Sequence, residues 1–235
     1  MYWWMLQLPK VIGHRGAAAY APENTLEAFR EAHRRGATWV EIDVKLTADN
    51  VPIVMHDDSL KRTTGIDRLV AQTKRSALPP DVPTFEQAIA CFEELGLGCN
   101  VEIKPCPGRE AETARVTVET LRRCWPARLP PPLLSSFKDV ALAEARAVAP
   151  EFARALLISE RVDDWQQRTE AVAALGVNVN GQKLGALWAH DIKRSGYALG
   201  AYTINDAVEA RALMAMGVDC IISDAPDVIL HALLA

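Results

Sequence analysis

The chain has 235 residues, 49% of them hydrophobic, enough to bury a large core and within the size at which a single α/β barrel occurs. Its formal net charge is −4, with Lys and Arg spread along the chain, which excludes the basic footprint of a nucleic-acid binder. Five cysteines, an odd number with no C-x-x-C pair, argue against a disulfide frame or a structural zinc site and for reduced thiols in a cytoplasmic setting.

The amino-terminal M-Y-W-W-M-L-Q-L is apolar but short, lacks a basic flank and a small-residue cleavage site, and reads as ordered packing. Peripheral membrane contact through Trp3 and Trp4 is a minor alternative. No other stretch has the roughly 20 apolar residues that span a bilayer. Val11 and Ile12 form a short strand that ends in Gly13-His14-Arg15-Gly16, where glycine permits a sharp exit and close approach to a ligand. Asn24 and Glu27 are spaced as a capping box for a helix carrying Leu26, Phe29 and Ala32, closed at Gly36.

The stretch Trp39 to Asp58 follows. In a strand, Val40, Ile42 and Val44 share one side while Glu41, Asp43 and Lys45 share the other. Ala48-Asp49-Asn50 reads as a turn, and Val51 to Met55 as a second extended run that delivers His56, Asp57 and Asp58. Taken alone, these acids fit a solvated edge strand as well as a metal site. The helix that should follow is delayed until Pro83-Thr84-Phe85-Glu86-Gln87, so residues 57–82 are an insertion of the kind that carries specificity or a lid.

Cys99 to Lys104 is the next strand, with Glu102 and Lys104 on one side, followed by a helix over Arg109 to Cys124. Alternation continues through strands at Leu133–Ser135, Ala155–Ile158, Val177–Val179, Ala198–Tyr202 and Cys220–Ser223, each followed by a helical pattern. Counting the strands at Val11 and Trp39 with these gives the arithmetic of an α/β fold of the (β/α)8 TIM-barrel type with a small insertion after the second strand. The competitor is an open doubly wound sheet, but no G-x-G-x-x-G follows the first strand. The expected organisation is a single domain over 1–235 with 57–82 as an inserted subregion.

In a barrel, functional groups gather at the carboxyl ends of the strands. His14, Arg15, Glu41, Asp43, Glu102 and Lys104 all lie there. Three carboxylates buried together would be forced to protonate unless a cation satisfies them, and oxygen-only ligation suits Mg²⁺ or Ca²⁺ over zinc. Phe137 and Tyr202, near strand ends, are expected pocket walls. Asn24 and Glu23 stand open between capping and a place at the metal or phosphate. His33, His190 and His231 lie on helices and are assigned structural or surface roles.

The ordered set His14-Arg15-Gly16, Glu23-Asn24-Thr25, Glu41-Ile42-Asp43-Val44, His56-Asp57, Leu60-x-Arg62-Thr63-Thr64-Gly65, Pro83-Thr84-Phe85, Glu102-Ile103-Lys104, Ser135-Ser136-Phe137 and Ser223-Asp224-x-Pro226 resembles the glycerophosphodiester phosphodiesterase family. The resemblance covers nearly the whole chain. It implies a divalent metal held by Glu41, Asp43 and Glu102, a catalytic pair in His14 and His56, phosphate contacts from Arg15 and Lys104, and a small cap after His56. It also implies hydrolysis of glycerophosphodiesters to sn-glycerol 3-phosphate and an alcohol, in lipid and glycerol metabolism. Tyr202 departs from the family, which more often has Trp there; the expected consequence is altered substrate fit. A lysophospholipid or sphingomyelin-type phosphodiesterase and a non-catalytic phosphate-ester binding barrel are the competing readings. His56 is favoured as the base and His14 as the acid.

Overall fold

The computed structural model describes residues 8–234; the apolar leader with Trp3 and Trp4 lies outside the described residues. The strands are β1 (Val11–Gly13), β2 (Trp39–Leu46), β3 (Pro52–Val54), β4 (Gly98–Ile103), β5 (Leu133–Ser136), β6 (Ala153–Ile158), β7 (Gly176–Asn180), β8 (Ala198–Tyr202) and β9 (Cys220–Ser223). The helices are α1 (Leu26–Arg34), α2 (Lys61–Thr64), α3 (Phe85–Leu95), α4 (Glu110–Cys124), α5 (Asp139–Val148), α6 (Trp165–Ala171), α7 (Ala186–Arg194), α8 (Ala207–Ala215) and α9 (Pro226–Leu234). The sheet runs β1-β9-β8-β7-β6-β5-β4-β2, and a further pairing of β1 with β2 closes it into a ring. All pairings within the ring are parallel, while β3 hangs outside it, antiparallel to β2. The fold is a (β/α)8 TIM barrel with one extra strand.

Closure explains why β2 is buried at every position and not, as an edge strand would be, along one side only. Val40, Ile42 and Val44 face the helices, where Phe29 of α1 meets Phe92 of α3 edge to face at 5.1 Å between ring centroids. Both rings are fully buried, so Phe29→Ala costs about 3–5 kcal/mol. At the amino-terminal end of the barrel Ile12, Trp39, Leu133, Ala153 and Cys220 form an apolar floor, with Leu8 packed against it. A Cβ on Gly98 would sit 2.3 Å from the Trp39 indole, so only glycine lets that ring lie under β4.

Helix α3 begins as its sequence predicts: Thr84 accepts from the Gln87 amide while the Gln87 side chain returns to the Thr84 amide. Helix α1 does not. Its cap is Thr25, whose Oγ1 accepts from the Ala28 amide, and Asn24 sits one residue earlier at φ 59°. The capping-box reading of Asn24 fails because its amide is drawn to a buried carboxylate instead.

The inserted segment after β3 contains α2 and two 3-10 turns, Val70–Gln72 and Arg75–Ala77. It has its own apolar cluster, in which Leu60, Val70, Leu78 and Val82 cover Ile53, Met55 and Cys106. Backbone bonds from Leu60 to Arg68 and from Val70 to Asp58 tie it into a compact loop beside the carboxyl end of β2. Among the described residues no helix is long and apolar enough to cross a membrane.

Candidate active site

The register of the ring decides which side chains meet. Asp43 of β2 is level with Glu102 of β4, and Glu41 with Asn100, so Glu41, Asp43 and Glu102 point into the carboxyl-terminal mouth from neighbouring strands. One carboxylate oxygen from each lies within 4.8 Å of the others, and all three residues are buried.

Two cations are seated against this triad. Lys104 Nζ donates to Glu102 Oε1 at 2.9 Å and lies 3.3 Å from Asp43 Oδ1. Arg15 gives its backbone amide to Glu41 Oε2 at 3.0 Å and brings Nε within 3.3 Å of Asp43 Oδ2. Arg15 stands at φ 50°, in the sparsely used left-handed region, on the tight exit from β1. Asn24 completes the enclosure, donating from Nδ2 to Asp43 Oδ2 at 2.8 Å and accepting from the Asp43 amide.

The triad's charges are unequal. Against the cost of burial, Lys104 and Arg15 hold Asp43 at about 2. Burial, together with the charge of Asp43, pushes Glu102 up to about 7 and drives Glu41 well above the ordinary carboxylate range. Two cations therefore keep one carboxylate ionised, and the other two carry a cost that a further cation would remove. An all-oxygen donor set short of positive charge is one that a divalent ion could satisfy.

The two histidines flank the triad, each held by its own carboxylate. His14 Nδ1 lies 2.6 Å from Asp224 Oδ1, which leaves Nε2 turned toward Glu41 Oε2 at 3.9 Å. His56 Nδ1 lies 2.6 Å from Asp57 Oδ1. A carboxylate only accepts, so both imidazoles donate from Nδ1 and present Nε2 elsewhere. Burial lowers the His56 pKa, with Lys104 and Arg15 adding to it against the opposing pull of Asp43 and Asp57.

A chamber of about 190 Å³ is lined by His14, Arg15, Glu41, His56, Glu102 and Lys104, with Phe137, Leu157 and Tyr202 as its apolar wall. Phe137 and Tyr202 meet edge to face at 5.9 Å, and Lys104 Nζ stands 5.7 Å above the Phe137 ring. A wider groove of about 510 Å³ shares His56, Glu102, Lys104 and Phe137 and runs out past Asp58 and Lys138 toward solvent.

All nine residues singled out in the sequence thus line one mouth or its wall: His14, Arg15, Glu41, Asp43, His56, Glu102, Lys104, Phe137 and Tyr202. His33 and His231 lie in the last turns of α1 and α9 and His190 on α7, away from it. Sequence reasoning gave no role to Asp57 and Asp224. Each was within reach of the strand-end argument, since Asp57 adjoins His56 and Asp224 directly follows β9. Lys45, on the same face as Glu41 and Asp43, is spent elsewhere: it is 2% exposed and bonds Asp58 at 2.6 Å.

The model of the glycerophosphoryl diester phosphodiesterase family matches residues 14–228. The chain is similar to an Oleispira antarctica phosphodiesterase whose structure is in complex with the product sn-glycerol-3-phosphate, with 39% identity, TM-score 0.94, and coverage of 97% of this chain and 98% of that one. It is also similar to the Thermotoga maritima glycerophosphodiester phosphodiesterase structure, at 27% identity and TM-score 0.79 over 97% and 99% of the two chains. A Caldanaerobacter subterraneus glycerophosphodiester phosphodiesterase is 27% identical over 94% of this chain and 96% of that one.

Proposed function

We propose a reaction on the premise that the chain belongs to the glycerophosphoryl diester phosphodiesterase family of phosphoric diester hydrolases. It hydrolyses glycerophosphodiesters to sn-glycerol 3-phosphate and an alcohol, with His14 and His56 as a general acid and base pair. The observation that carries this is the pair of imidazoles, each oriented by a carboxylate at 2.6 Å, on either side of one acidic triad. The 39% identity to a phosphodiesterase solved with sn-glycerol-3-phosphate supports the same product here.

Glu41, Asp43 and Glu102 would hold a divalent cation, Mg²⁺ or Ca²⁺, which when bound supplies Lewis-acid polarisation of a phosphoryl oxygen. Arg15 and Lys104 present their charges to the same chamber and stabilise negative charge that develops on the other phosphate oxygens. His56, kept neutral near pH 7 by burial, takes the proton of the attacking oxygen through Nε2. His14, its Nδ1 fixed by Asp224, delivers a proton from Nε2 to the departing alkoxide. The attacking oxygen is water or the neighbouring glycerol hydroxyl by way of a cyclic phosphate, and both routes end in the same products.

The smaller 190 Å³ chamber suits the constant glycerol phosphate half, and the wider 510 Å³ groove suits the variable alcohol. Phe137 and Tyr202 form the apolar wall against which the glycerol carbons pack. The described residues form one barrel domain, with 57–82 read as a cap at the site, and the odd count of five cysteines favours a reducing, cytoplasmic location. Incubating the protein with glycerophosphodiesters of different headgroups and measuring glycerol 3-phosphate, with and without divalent metal, tests the reading.

A further inference from the structure

One side chain of the inserted segment reaches both halves of the site. Arg62, on α2, donates from Nε to Asp57 Oδ2 at 2.6 Å and from Nη2 to Asp57 Oδ1 at 3.0 Å. The same guanidinium donates from Nη1 to Glu23 Oε2 at 2.7 Å and from Nη2 to Glu23 Oε1 at 2.6 Å. Glu23 in turn accepts from Arg15 Nη1 at 2.8 Å, and Asp57 accepts from His56 Nδ1 at 2.6 Å. The order of contact is therefore His56, Asp57, Arg62, Glu23, Arg15. It begins at one imidazole of the site, crosses the inserted segment and ends at a cation of the site.

Exposed ion pairs usually contribute little, because two long side chains must be held in one geometry. Here the geometry is fixed from several sides. Arg62 is forked onto two carboxylates, and each of these is already committed to a residue of the mouth. Arg62 is also located by the short helix that carries it, which the Gly65 cap closes at φ 75° and the Leu60 side chain anchors in the segment's apolar cluster. Asp57 is held well below the usual carboxylate range, by Arg62 first and by His56 as well. Its charge is thus divided between a guanidinium and an imidazole.

We infer that Arg62 is a positioning residue for the reaction: through Asp57 it fixes the ring of His56, through Glu23 it fixes the guanidinium of Arg15, and so makes the seating of the inserted segment a condition for both. This rests on the proposed role of His56. It goes beyond that role in assigning the insertion a place in the site's geometry, since no other ion pair bridges these two loops among the described residues.

The test compares Arg62→Ala and Arg62→Lys with Lys61→Ala, a neighbour on the same helix whose ion pair with Asp67 is exposed and remote from the site. Two quantities are read: the pH profile of kcat/KM with glycerophosphodiester and divalent metal, and the titration of the His56 imidazole by NMR, which needs no turnover. The charged groups facing His56 are Asp57, Asp43, Lys104 and Arg15. Arg62→Ala leaves Asp57 wholly to His56, so the imidazole titration and the acidic limb both move up by roughly one pH unit. The maximum rate falls roughly 10–100-fold, the range for removal of outer-shell partners. Arg62→Lys keeps the charge but not the fork, so it restores the limb and only part of the rate. Lys61→Ala is unchanged. An imidazole titration in Arg62→Ala that is unmoved or lowered, or a rate within twofold of the parent, overturns the inference. Absence of turnover in the parent protein would instead remove the reading on which it rests.

Discussion

Asp224 Oδ1 lies 2.6 Å from His14 Nδ1, although 210 positions separate the two residues along the chain. The contact exists because β9 pairs with β1 in register, Gly13 opposite Ser223, so the residues just past the two strands face each other across the barrel's closure. Asn205 donates to the other Asp224 oxygen at 2.8 Å and fixes the carboxylate's plane. First and last strands thus build one imidazole's orientation together.

Asp224→Asn keeps the shape but leaves one acceptor oxygen for two donors, His14 Nδ1–H and Asn205 Nδ2–H, so the His14 tautomer is no longer fixed. We expect kcat to fall by about 10²–10⁴-fold, within the range for losing acid or base function, with the thermal midpoint little changed. Steady-state kinetics alongside a thermal melt checks this. A variant with normal kcat would show that His14 needs no fixed tautomer.

How far the sequence went depended on range. The alternation in β2 and β4 put Glu41, Asp43 and Glu102 on inward faces correctly, because period two is a local property. The start of α3 after Pro83-Thr84 was legible for the same reason. Asn24 stood open between a cap and a place at the site, because the local rule cannot see Asp43, which captures its side chain from nineteen residues away. The partnership of Asp224 with His14 and the bridging position of Arg62 needed the closed ring and the folded insertion, which are long-range outcomes.

The proposed metal site links ion binding to pH through the triad. Glu102, pushed up to about 7, is raised above its unfolded value, so the metal-free fold is favoured by protonation and loses stability as pH rises from the ordinary carboxylate range through 7. A divalent ion bound at the triad would replace that proton. The stabilisation on adding Mg²⁺ or Ca²⁺, read as a rise in melting temperature, should therefore grow between about pH 5 and pH 7.5, and amounts to about 2.7 kcal/mol for ligand at a hundred times its dissociation constant. Asp43→Asn should abolish the effect. Melts across this pH range with and without metal decide it, and a metal effect independent of pH would contradict the assignment.

At low pH the sign reverses. Asp43 is depressed to about 2, so the stability it contributes is present above its unfolded pKa and is lost as pH falls toward 2. Lys104→Met removes the first of the cations that hold it down. This variant should begin to unfold at higher pH in acid titration, and, on the proposed role of Lys104 at the phosphate, should lose about 10²–10³-fold in kcat. Acid unfolding followed by circular dichroism and single-substrate kinetics read the two effects separately.

His56 is lowered from the ordinary imidazole value by burial and by the neighbouring cations. In its proposed role as base it must be neutral, so the acidic limb of kcat/KM should lie below pH 6.5, and His56→Ala should erase that limb with most of the activity. A limb at or above 6.5 that survives in His56→Ala would assign it to another group.

The most direct measurement is glycerol 3-phosphate release from glycerophosphocholine and related diesters by the parent protein, His14→Ala and His56→Ala, each with saturating Mg²⁺ or Ca²⁺ and after chelation. Turnover that appears only in the metal-loaded parent, with both variants folded and reduced by about 10²-fold or more, is the predicted result. Full turnover by the chelated protein or by either histidine variant would contradict a reaction run by two oriented imidazoles beside an acidic triad.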